Sequence, residues 1–138
     1  PLGAFLTKEF CSVLEPGDHG STFGGNALTT AAGGAAAQVL LDEKLPEIAN
    51  SNGSYFMDKL NILMKEFSYI TEVRGKGLLI GLEMSKDISP EIVSRCLDKG
   101  LLINAVRPNM IRFMPPLNVT KNEIDKSVSI LISVLKEM

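Results

Sequence analysis

Two places in this 138-residue sequence carry residue types that could hold an anion. The first is the octet His19-Gly20-Ser21-Thr22-Phe23-Gly24-Gly25-Asn26, in which three glycines and two small hydroxyls lead into an alanine-rich segment. Amides at the start of a helix lack intrahelical partners, the helix dipole favours negative charge there, and glycine permits close approach. Phosphate is the expected guest, and a glycine-rich loop that merely caps a helix is the plainer alternative. The second place is Arg112, set between Ile111 and Phe113 and followed by Pro115-Pro116. A guanidinium between apolar neighbours needs an anion nearby, and its planar fork matches a carboxylate on two atoms. That carboxylate belongs either to a substrate or to the protein itself. His19 is the single histidine and has no metal-ligand cluster around it, which points to a loop hydrogen bond rather than a metal site.

The elements that must position these residues follow from hydrophobic periodicity. Residues 3–7 read as a short strand, and Thr7 to Phe10 as the entry to a short helix ending before Pro16-Gly17. From Asn26 to about Asn50 the pattern is helical, with Leu28, Ala31, Ala32, Ala35, Val39 and Leu40 on one face. Gly33-Gly34 costs that helix roughly 1 kcal/mol per glycine against alanine, so another helix or backbone is expected close by. Pro46 marks a kink or break, and Ser51-Asn52-Gly53-Ser54 a joint. A further helix places Phe56, Leu60, Leu63, Met64 and Phe67 together.

From Ile70 the period becomes two. Ile70–Arg74 and Leu78–Glu83 read as strands about a Gly75-Lys76-Gly77 turn, in which Arg74 and Lys76 serve the turn. Ser89-Pro90 opens a helix closed near Gly100. Leu101–Ala105 and Met110–Phe113 form two more strands, joined through Arg107, a solvated loop charge. Thr120 to Glu123 is a capping box, opening a helix striped by Ile124, Val128, Leu131, Ile132 and Leu135. Helices covering one face of an antiparallel sheet is the economical arrangement, so the fold class is α+β.

Composition sets limits. At 45% hydrophobic and 22% charged the chain can build a core, and its net charge of -2 with no basic run argues against nucleic acid. The longest apolar run, Gly100 to Val106, is far too short to span a bilayer. Cys11 and Cys96 make no disulfide framework, and Cys96 falls on an amphipathic helix as a small hydrophobe; a reduced, cytoplasmic setting is expected. The abrupt start at Pro1 reads as a chain cut from a longer protein.

In order along the chain, Pro1-Leu2-Gly3-Ala4, Pro16-Gly17-Asp18 with the octet, Arg74-Gly75-Lys76-Gly77-Leu78, and Ile111-Arg112-Phe113-Met114-Pro115-Pro116-Leu117 form a set. The set resembles the class III pyridoxal-phosphate-dependent aminotransferases, most of all their acetylornithine branch. Ornithine, succinylornithine and 4-aminobutyrate aminotransferases share the skeleton. The resemblance spans the whole chain and the last third of such an enzyme. It implies fold type I, with pyridoxal 5′-phosphate at a homodimer interface and an amino group moving from N2-acetyl-L-ornithine to 2-oxoglutarate in arginine biosynthesis.

It implies further that Thr22 gives its hydroxyl to the cofactor phosphate of the neighbouring subunit, that Ser21 touches substrate, and that Arg112 lies near the substrate carboxylate. The Schiff-base lysine and the acid facing the pyridine nitrogen lie upstream in the family, and no lysine of this chain sits in that context. The chain alone is therefore expected to be inactive and not to hold the cofactor. Gly33-Gly34 differs from the bulkier residues usual at that place. The implied division is a large-domain remnant over 1–25, a long connecting helix over 26–53 and a C-terminal small domain over 54–138. Residues 1–25 would then expose Phe5, Leu6, Phe10 and Val13, inviting disorder or self-association. The other class of reading is a stand-alone α+β module that binds a small anion.

Overall fold

The computed structural model describes residues 2–138; Pro1, the first residue of the Pro1-Leu2-Gly3-Ala4 motif, lies outside them. The chain divides into two compact units, Pro1–Lys44 and Leu45–Met138. Within the second, buried positions Leu45, Ala49, Gly53, Phe56, Leu60 and Leu63 recur at three- and four-residue steps along helix α2, Leu45–Glu66. They form one apolar stripe, as a core-facing helix requires. Gly53 belongs to that stripe: a Cβ there would fall 2.0 Å from the carbonyl oxygen of Gly77. The expected joint at residues 51–54 is thus the place where a helix must pass very close to a strand turn, and α2 runs through it unbroken.

The strands are β1, Ile70–Lys76, β2, Leu79–Met84, β3, Asn104–Arg107, and β4, Met110–Phe113. They form one antiparallel sheet in the order β1-β2-β4-β3. Alternation sends Ile80, Leu82 and Met84 of β2, and Ile111 and Phe113 of β4, into the core. Helix α2 packs on β1 and β2, and helix α3, Ser89–Asp98, on β3 and β4. Helix α4, Lys121–Lys136, packs against α2 and α3 and buries Ile124, Val128, Leu131, Val134 and Leu135. The architecture is the expected α+β one, helices on one side of an antiparallel sheet.

The turn between β1 and β2 is tighter than expected. Gly75 and Lys76 belong to β1, and Gly77 alone takes the left-handed conformation, at φ 57°. Arg74 does not serve the turn; it lies between Glu72 and Glu83 on the open face. Ser89 was expected to cap α3, but it makes no cap bond: its buried hydroxyl donates to the Arg107 carbonyl and ties the helix to β3. At the other end Gly100, φ 83°, closes α3 in a Schellman motif, with Leu101 N–H bonded to Cys96 O and Gly100 N–H to Leu97 O. The Thr120–Glu123 capping box is formed in full.

Within the first unit, helix α1 runs Ala27–Asp42 and buries no residue. The helix expected over 26–53 is therefore two helices. Lys44 carries the chain between them at φ 51°, and Pro46 occupies the first turn of α2, where its missing N–H costs nothing. The strand expected over 3–7 is not formed, since no partner strand stands beside it among the described residues. The short helix expected next is one 3-10 turn, Glu9–Cys11. At Gly33 the close neighbour is a flexible side chain, with Leu2 Cδ2 2.1 Å from where a Cβ would stand, and Gly34 faces open space. Among the described residues no helix is long and apolar enough to cross a membrane.

Candidate functional site

The glycine-rich octet folds into a local turn ahead of α1. Ser21 Oγ accepts the Gly24 N–H at 3.0 Å, and Gly25 adopts φ 69°. Asn26, not the hydroxyl pair, caps the helix: its Oδ1 accepts the Thr29 N–H at 3.0 Å while its Nδ2 donates to the Phe23 carbonyl at 2.8 Å. Two amides that would have faced an anion, those of Gly24 and Thr29, are thereby satisfied within the chain. The hydroxyls of Ser21 and Thr22 remain as donors, beside the first-turn amides of Ala27 and Leu28. Thr22 is exposed and its hydroxyl has no partner among the described residues, while Ser21 accepts one bond and keeps its proton to give.

Arg112 is positioned by strand alternation. Because Ile111 and Phe113 face the core, the residue between them must project from the opposite side of the sheet. Its Nε is buried with no partner among the described residues, and it takes part in none of the ion pairs found there. The reading of Arg112 as a structural ion-pair residue has no partner to support it. The side chain lines a cleft of about 360 Å³ with Leu102, Ile103, Asn104 and Met114. A cation with an unpartnered N–H in a mainly apolar cleft suits a carboxylate ligand.

Across β2 from Arg112 lies Gly81, and beyond it Arg74 of β1. Arg74 bonds both Glu72 and Glu83 and also reaches Met110 Sδ at 3.6 Å. Its charge is already answered, whereas Arg112 and the exposed Arg107 of β3 have no carboxylate partner among the described residues. Neither this arrangement nor the presence of Asn104 was read from the sequence; both follow from register, which residue types alone do not state. Thr22 and Ser21 sit together in the first unit, and Arg112 in the second.

The other candidate nucleophiles are the two cysteines and Lys59. Cys96 is fully buried and burial pushes its thiol up to about 11, whereas Cys11 is exposed. Lys59 is bonded to Asp125 at 3.1 Å and held above the usual lysine range, chiefly by Tyr55 and then by Asp125. A nucleophilic lysine requires the opposite shift.

The class III aminotransferase family matches residues 1–135. The acetylornithine aminotransferase of Caldanaerobacter subterraneus subsp. tengcongensis is 46% identical over 138 residues, covering 100% of this chain and 35% of the relative. A crystal structure of acetylornithine aminotransferase from Elizabethkingia anophelis superposes with a TM-score of 0.82 at 36% identity, covering 91% of this chain and 34% of that one. Ornithine aminotransferase from Plasmodium yoelii gives a TM-score of 0.80 at 35% identity, over 89% of this chain and 33% of that one. The chain spans about a third of the length of the relatives it matches. It belongs to the class III aminotransferases.

Proposed function

We propose that this chain takes part in moving the amino group of N2-acetyl-L-ornithine to 2-oxoglutarate, in cytoplasmic arginine biosynthesis, as one section of a homodimeric enzyme. The observation that carries the reading is Arg112, whose unpartnered Nε and mainly apolar cleft await a carboxylate. Its family and its 46% identity to an acetylornithine aminotransferase support the choice of substrates. Pyridoxal 5′-phosphate, when bound, supplies the electron-withdrawing ring through which an amino group is exchanged between two substrates.

This chain's residues then bind and orient. Arg112 fixes a substrate carboxylate on two atoms, so the reacting end is presented in one pose. Thr22 donates its hydroxyl to the cofactor phosphate of the neighbouring subunit, and Ser21 donates to the substrate. We assign residues 1–25 to the large cofactor-binding domain, 26–53 to the connection and 54–138 to the small domain. The compact unit that carries the small domain itself begins at Leu45.

By itself the 138-residue chain performs no transamination. Lys59 is committed to Asp125 and Tyr55 and Lys99 to Glu137, and the other lysines lie exposed, so none is desolvated as a cofactor-holding amine must be. Incubating the chain with pyridoxal phosphate, N-acetylornithine and 2-oxoglutarate should yield no glutamate; sustained turnover would refute this. In an active enzyme containing the chain, Arg112→Gln should lower kcat/KM for 2-oxoglutarate about 100-fold, the scale of a lost charge-assisted bond pair. An unchanged value would remove Arg112 from the site. Ornithine as donor is the second reading, favoured by the likeness to the Plasmodium yoelii enzyme. Comparing the two donors in the same assay separates them.

A further inference from the structure

We propose that Asn104 is a second carboxylate-binding residue, acting beside Arg112; this rests on the reading of Arg112 as a substrate-carboxylate site. The β3–β4 register sets Asn104 directly opposite Arg112. Directly opposed residues project from the same face, with Cβ atoms roughly 5 Å apart. Both side chains line the same cleft, and Asn104 is the polar residue there besides Arg112.

Asn104 is exposed, and its side chain makes no hydrogen bond among the described residues. An amide in that condition has two N–H donors to offer. By contrast, Asn109 Nδ2 in the β3–β4 turn donates to the Met84 carbonyl at 3.2 Å, and Arg74 is held by Glu72 and Glu83. The guanidinium supplies charge and two parallel bonds to a carboxylate, each oxygen of which has a further lone pair. The Asn104 amide answers one of those without adding charge, so it sharpens the orientation of a single carboxylate.

The test titrates 2-oxoglutarate into the isotope-labelled 138-residue chain at low ionic strength, following the Asn104 side-chain amide and the Arg112 Nε–H by nuclear magnetic resonance. Both signals should move along one binding curve. Asn104→Ala should raise Kd about five-fold, as for a partly solvated bond to a charged group. Asn104→Asp, which places a carboxylate in the chain against Arg112, should raise it more than ten-fold. Because Asn104 is exposed, the rest of each variant's spectrum should match the parent's. If Arg112 shifts while the Asn104 amide stays still and Asn104→Ala binds like the parent, the Asn104 proposal is overturned and the Arg112 reading stands. If neither signal moves, the carboxylate site itself is refuted, and the Asn104 proposal with it.

Discussion

Residues 2–44 and 45–138 contain similar kinds of side chain and use them in opposite ways. Leu2, Phe5, Leu6, Phe10, Val13, Leu14, Phe23 and Leu28 all lie exposed, Phe5 at 86% and Leu6 at 92%, whereas every buried hydrophobic residue falls at Leu45 or later. A stretch that buries nothing has only local hydrogen bonds to oppose the entropy of ordering it. The second unit closes a core around Leu60, Leu82, Ile111 and Leu131, each at 0% exposure. The two candidate anion contacts therefore have unequal support: Arg112 is aimed by a sheet with its own core, while Ser21 and Thr22 sit on an exposed turn held by local hydrogen bonds.

The two cysteines should display the contrast most steeply. A thiol reagent at neutral pH should modify Cys11 at once and Cys96 only through unfolding, roughly 10³-fold slower or more for a domain of ordinary stability. Comparable rates would break the contrast. Next, Leu60→Ala should cost the second unit about 3 kcal/mol in urea denaturation, as buried leucines generally do, whereas Leu28→Ala should change it by less than about 0.5 kcal/mol. Equal losses would mean that the first unit contributes to the same cooperative core.

Smaller effects separate parts of the second unit. Ser89→Ala leaves the Arg107 carbonyl without its buried donor and should cost about 1.5 kcal/mol. Thr120→Ala removes the α4 cap and should cost about 1 kcal/mol at neutral pH. That cost carries a pH signature. The Thr120 amide, then its hydroxyl, hold Glu123 below the usual carboxylate range; Tyr55 and then Lys59 do so for Asp125, and Lys99 for Glu137. A depressed native pKa stabilises the fold above the unfolded value, about 4, and the gain is lost as pH falls through the native one. The gap between Thr120→Ala and the parent should accordingly narrow in acid; a gap that widened would contradict the capping-box geometry.

What could be read from the sequence was what local chemistry determines. The capping box, the α4 stripe and the alternation that sets Arg112 away from the core each depend on residues a few positions apart. What escaped depended on contacts far along the chain. Gly53 resembled a joint because glycine weakens helices, yet it is there because Gly77 lies against it. The true break at Lys44 carried no signal, lysine having no preference for the left-handed region. Pro46 signalled a helix boundary correctly but marked a start where a kink or break was expected. In the site, Ser21, Thr22 and Arg112 were visible as residue types, whereas Asn104 and the Glu72–Arg74–Glu83 cluster needed the register.

Residue-resolved hydrogen exchange on the 138-residue chain measures the difference between the two units without any substitution. Amides of Leu60, Leu82, Ile111 and Leu131 should exchange only through global unfolding, those of α1 through fraying of a helix that buries no side chain, and those of residues 5–25 at nearly unprotected rates. Protection of residues 5–25 equal to that of the sheet, in a chain shown to be monomeric, would contradict the account.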